Sequence, residues 1–123
     1  GLVKVQNVFT VIDCGKVVNK DTVMAQMQGA AIFGMSLALF GKITAKEGAI
    51  EQSNFGDYRL VRMNESPNIH VEIVECDEPP TGVGEPGVPV IAPAIKKHSP
   101  ETNIGAHIRF ANKTTDLVRG CCF

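Results

Sequence analysis

Pro79-Pro80-Thr81-Gly82-Val83-Gly84-Glu85-Pro86-Gly87-Val88-Pro89 is the stretch from which the rest of the 123-residue chain is read. It sets one acidic side chain among four prolines and three glycines. Proline fixes φ, and glycine allows dihedrals and close approaches that a Cβ forbids. Such a segment is a shaped loop, neither a strand nor the interior of a helix. Two readings of Glu85 stand side by side. It is a polar residue in a surface turn, or it is a general base presented by a rigid loop whose glycines let a ligand touch the backbone.

Working outward, residues 69–75 precede the loop and alternate Ile69, Val71, Ile73 with His70 and Glu72, the period of a half-buried strand. His70 falls on the polar side of that alternation and reads as a solvated histidine. Residues 90–97 follow the loop and read as the start of a helix, with Pro93 in its first turn. The pattern stops at His98-Ser99-Pro100. Residues 104–111 are expected to form a strand, and Asn112-Lys113-Thr114-Thr115 a turn.

Residues 2–14 are rich in β-formers and read as a strand, with a slip between Val5 and Val8 that suggests a bulge. Asn19 and Asp21 offer N-caps to a helix running to Phe40, and Gly41 suits the position just past its end. Val23, Gln26, Ala30, Phe33, Leu37 and Phe40 recur on one face, and Met24, Met27, Ala31, Met35 and Ala38 on the next. A helix apolar over so much of its circumference is expected to be buried. Gln26, Gln28, Gly29, Gly34 and Ser36 argue against a membrane span despite its length. Residues 42–52 read as a hairpin with Gly48 in the left-handed position, and residues 53–67 as an extended connection with short strand character. The expected fold class is α+β: a mostly antiparallel sheet packed against one long buried helix, with the Gly/Pro-rich loop at one end.

With 12 Lys plus Arg against 13 Asp plus Glu, the chain carries no electrostatic footprint for nucleic acid or for an anionic membrane. Cys14, Cys76, Cys121 and Cys122 have neither Cys-x-x-Cys nor zinc spacing, and read as reduced thiols in a cytoplasmic setting, with the periplasm as the other option. His70, His98 and His107 are isolated, so no metal constellation is expected. Gln26 is the informative polar residue of the helix. On an apolar face its amide must bond a neighbouring backbone or a ligand. Gly29, one turn on, is tolerated best where another element or a ligand comes close.

Three ordered motifs resemble the molybdenum hydroxylases, the xanthine oxidase and aldehyde oxidoreductase family. Val11-Ile12-Asp13-Cys14-Gly15 with Val18-Asn19 resembles the strand and turn before the family's cofactor helix. Ala25-Gln26-Met27-Gln28-Gly29-Ala30 with Phe33-Gly34 resembles that helix, and Gly82-Val83-Gly84-Glu85-Pro86 the loop bearing its active-site glutamate. Gln52-Ser53-Asn54-Phe55, Tyr58 and Arg62-Met63 resemble the isoquinoline 1-oxidoreductase branch. The resemblance spans roughly residues 3–95. It implies a molybdopterin-binding-domain-like fragment over residues 1–95, from the C-terminal part of a large subunit, and a divergent tail over residues 96–123.

By the same resemblance, Glu85 is the general base that takes the proton from the attacking oxygen when a heteroaromatic ring or aldehyde is hydroxylated. Gln26 donates to the pterin, Gly84 allows close backbone approach to the cofactor, and the protein gives the metal no ligand. The family builds its cofactor pocket from several further segments. The expectation is therefore a fragment or stand-alone derivative that is not catalytic alone, lacks the cofactor when isolated, and associates with the missing enzyme segments or with itself. A small-molecule substrate enters only in a complete enzyme. The other reading is a non-catalytic, self-associating or binding module derived from such an enzyme. Nucleic-acid binding and a membrane span are not expected.

Overall fold

The computed structural model describes residues 3–97 and 106–111. The turn expected at residues 112–115, His98, Cys121 and Cys122 lie outside the described residues. Strand β1 is Asn7–Asp13 and helix α1 is Lys20–Phe40. A two-stranded hairpin follows, β2 Ala45–Lys46 and β3 Ala49–Ile50, with Glu47 and Gly48 both at positive φ between them. Residues 53–67 carry two 3-10 turns, at Phe55–Asp57 and Met63–Glu65, where strand character was expected. Strand β4 is Asn68–Ile73, helix α2 Ile91–Lys97 and strand β5 Ala106–Ala111. The stretch set apart in the sequence as a tail thus supplies β5 to the sheet.

The main sheet has the order β4-β1-β5, and both neighbours run parallel to β1. This corrects the expected mostly antiparallel sheet; among the described residues only the β2–β3 hairpin is antiparallel. Alternation of apolar and polar residues is the same in both kinds of sheet. The connections decide. A parallel neighbour needs a crossover, and α1 lies between β1 and β4 as α2 lies between β4 and β5.

The slip between Val5 and Val8 marks the start of β1 at Asn7 and not a bulge. From there the burial alternates strictly, with Val8, Thr10 and Ile12 buried. Both helices cover that face. Val8 packs with Ala31, Met35 and Ile91. Ile12 and Cys14 pack with Val23 and Met27. Ile69, Val71 and Ile73 extend the same face along β4. On the opposite face Phe9 stacks on His70, ring centroids 4.7 Å apart, and His70 is exposed as expected.

Asn19 caps α1, its side chain accepting from the N–H of Thr22 at 3.1 Å. The expectation of burial around most of the helix is corrected. The buried residues are Val23, Met27, Ala30, Ala31, Gly34, Met35 and Ser36. Phe33 and Leu37 keep 53% and 42% of their surface exposed. The helix is long and apolar enough to cross a membrane, but here one side of it is laid along the sheet. Ser36 ties its C-terminal half to the arm that follows, donating to Ile32 O at 2.9 Å and accepting from the N–H of Val61 at 3.1 Å.

Candidate functional site

The loop at residues 79–89 begins at the carboxyl end of β1. Thr81 donates its N–H to Cys14 O at 2.9 Å, and Lys16 donates to Glu78 O at 2.9 Å. Between those anchors Gly15 turns with φ +74°, and a Cβ there would overlap the carbonyl oxygen of Pro79. Glycine is therefore required at position 15 on two counts, conformation and space. In open α/β sheets, ligands bind outside the carboxyl ends of the strands, and the loop starts there.

The far half of the loop lies along α1. The Gln26 Nε2 amide donates to Gly84 O at 2.7 Å. One turn further, a Cβ on Gly87 would stand 2.6 Å from the Ala30 Cβ. Another turn on, a Cβ on Gly34 would stand 2.7 Å from the Ile91 side chain and 2.9 Å from Val88 O. Gln26, Ala30 and Gly34 are spaced i, i+4 and i+8, a single ridge of the helix. Small residues along that ridge let the loop and the start of α2 settle against the helix backbone. Val88 then closes a turn by donating its N–H to Glu85 O at 3.1 Å.

Of the residues singled out in the sequence, Gln26, Gly84 and Glu85 are brought together. Gln26 bonds a backbone, and that backbone is the one preceding Glu85. Glu85 itself is exposed. Ala30, Gly34 and Gly87 were not singled out as positioning residues. Their signal was available in the four-residue spacing of small side chains from Gln26. Among the described residues Gly29 serves no close approach: a Cβ there meets nothing within 4 Å, nor does one at Gly82 or Gly84.

Gln26, Gly29, Gly84 and Glu85 therefore present open surface. The second Nε2 hydrogen and the Oε1 of Gln26 remain for a ligand beyond the bond to Gly84. These groups fit one edge of a large polar cofactor, offering amide and backbone contacts. No cluster of metal-ligating side chains occurs among the described residues. A separate cleft of about 330 Å³ is lined by Gly15, Lys16, Lys20, Glu75, Cys76 and Asp77. It holds an ion pair of Lys20 with Glu75 and neither Gln26 nor Glu85.

Residues 1–67 match the model of the molybdopterin cofactor-binding domain. The chain belongs to that family. The molybdopterin cofactor-binding domain seen here is 40% identical over 105 residues to the isoquinoline 1-oxidoreductase subunit beta of Brevundimonas diminuta, covering 85% of this chain and 13% of that protein. It is 36% identical over 121 residues to a membrane-bound aldehyde dehydrogenase [pyrroloquinoline-quinone] of Gluconacetobacter polyoxogenes, covering 98% of this chain and 16% of the relative. It is 32% identical over 100 residues to the nicotine 6-hydroxylase large subunit of Paenarthrobacter nicotinovorans, covering 76% of this chain and 12% of that subunit. The domain thus spans a small fraction of the length of these relatives.

Proposed function

We propose that this chain is the helix-and-loop portion of a molybdopterin-dependent hydroxylase acting on N-heteroaromatics or aldehydes, and that it is not catalytic by itself. The observation that supports the reading is the 2.7 Å bond from Gln26 to Gly84 O, the carbonyl of the residue just before Glu85. Glu85 serves as the general base, accepting the proton of the attacking oxygen. Gln26, through its remaining amide hydrogen and Oε1, and the backbone at Gly84 hold the pterin. The cofactor, when bound, supplies the metal centre at which the substrate is oxidised. Segments outside these 123 residues complete the pocket and cover Glu85, and the desolvation they bring favours base chemistry in a carboxylate. The setting proposed is cytoplasmic, where free thiols such as Cys14 and Cys76 stay reduced.

The test has two arms. Purified chain mixed with molybdopterin retains none after gel filtration; stoichiometric retention overturns the need for further segments. In a complete subunit carrying this segment, Glu85→Gln lowers turnover by about 10²- to 10⁴-fold, the usual reach of a general base, with cofactor content unchanged. Full turnover by that variant overturns the role of Glu85.

A second reading is a self-associating, non-catalytic module. The exposed Phe33 and Leu37, and Phe55 and Met63 at 96% and 94% exposure, favour it. Sedimentation of the purified chain separates the readings: a defined dimer or larger closed oligomer supports the module, and a monomer removes it.

A further inference from the structure

Among the described residues the Gln26 side chain has one bond, and it goes to the loop. The loop is anchored at its start by the bond from the Thr81 N–H to Cys14 O, and further on it fits by shape, Gly87 against Ala30 and Gly34 against Val88 and Ile91. Val83 packs on the Ile12, Cys14, Val23 and Met27 cluster, whereas a Cβ at Gly84 would meet nothing within 4 Å, so side-chain packing stops one residue short of Glu85. Glu85 is exposed, and its own carbonyl accepts from Val88. The amide of Gln26 is thus a directional contact made on the peptide that enters Glu85 itself.

We propose that Gln26 is a positioning residue for Glu85. By donating to Gly84 O, it locks the Gly84–Glu85 peptide against α1 and so aims the carboxylate, while its second N–H and Oε1 stay available to a bound group. One side chain thus couples occupancy of the site to the orientation of the carboxylate. This rests on the reading of Glu85 as the base, but the tie itself is tested without cofactor or turnover.

The reporter is the N–H of Val88, whose exchange follows the turn that begins at Glu85. Hydrogen exchange by NMR on the full chain compares wild type, Gln26→Ala and Gln26→Glu. At pH 7 both variants exchange Val88 about 2- to 10-fold faster, the range a net hydrogen bond of about 0.5–1.5 kcal/mol provides. Amides of α1 around Ala30 and Ala31 hold their protection. On acidification Gln26→Glu regains the lost protection, after correction for intrinsic rates, because a protonated carboxyl can again donate to Gly84 O. A purely structural effect of the substitution would not reverse with pH. If Gln26→Ala unfolds the chain, the pH contrast within Gln26→Glu decides alone. Unchanged Val88 exchange at pH 7 in Gln26→Glu, or no recovery in acid, overturns the proposal. Failure here leaves Glu85 as base untouched, since that is read from turnover of Glu85→Gln.

Discussion

Thr10 shows how a single residue can sit against the logic of its surroundings. Its side chain is 2% exposed in the middle of β1, on the face that carries Val8 and Ile12, and its Oγ1 has no hydrogen-bond partner among the described residues. A buried hydroxyl without a partner carries an uncompensated desolvation cost. Thr10→Val keeps the branched shape and removes that cost. The variant is expected to unfold at higher denaturant concentration, a gain of about 1 kcal/mol. Cys14 is the opposite case, a small thiol content in its core. Burial, and then the nearby Asp13 carboxylate, push its pKa above the ordinary 9.0. A thiol whose folded pKa is raised costs nothing below its unfolded pKa. As pH climbs past about 9 the unfolded chain releases the proton first, and stability falls. Wild type therefore loses stability between pH 9 and pH 10.5 more steeply than Cys14→Ala, as denaturant titrations at each pH will read. Gly29 and Gly34 make a third residue-scale contrast. Alanine in a helix interior gains up to about 1 kcal/mol over glycine. At Gly29 nothing opposes that gain, so Gly29→Ala raises the stability of the isolated chain. At Gly34 the new Cβ meets a backbone oxygen at 2.9 Å as well as Ile91, and neither can yield freely. Overpacking of about 1–3 kcal/mol outweighs the propensity term, and Gly34→Ala destabilises. Thermal melts of the two variants check both signs.

At the scale of elements, the sequence was informative wherever local chemistry decides. A cap at Asn19 or Asp21, the end of α1 at Phe40, the left-handed Gly48 of the hairpin, and the alternation of β4 were readable, because each depends on side chains within a few residues. Residues 53–67 were misread as extended with strand character. Leu60, Val61 and Met63 have strand propensity, but Arg59 spends its guanidinium 4.0 Å above the Phe40 ring, and the N–H of Val61 goes to Ser36 Oγ. Those contacts come from α1, and no local pattern announces them. The loop at residues 79–89 was recognisable as a shaped loop from its prolines and glycines. That it would lie along the Gln26–Ala30–Gly34 ridge was not foreseen, although the spacing of small residues was present in the text of the helix.

For the whole molecule, the distribution of covering layers matters most. Parallel sheets are ordinarily covered on both faces. Here both helices lie on the face of Val8, Thr10 and Ile12, and the face of Phe9 and His70 has no helix over it among the described residues. The outward side of α1 likewise leaves Phe33 and Leu37 exposed. Exposed apolar surface that forms a contiguous patch is the kind that marks an interaction site. Replacing both Phe33 and Leu37 with Ser is expected to leave the melting transition of the isolated chain within about 0.5 kcal/mol, as for surface positions. The same pair of substitutions lowers recovery of an assembled complete subunit. Normal assembly of the double variant would show that this side of α1 is not a contact surface.

The sequence by itself determined most of the elements: a capped apolar helix, alternating strands, and a loop of prolines and glycines around Glu85. Those are local matters, settled by dihedral preference, capping and hydrophobic period. Only the tertiary structure decided that β1 stands at the centre of a parallel sheet, that α1 buries one side and leaves the other open, and that the Gln26 amide reaches Gly84 O. Strand direction and face burial follow from how crossover helices pack back on the sheet. The bond between Gln26 and Gly84 joins residues 58 positions apart, a separation over which no sequence period operates.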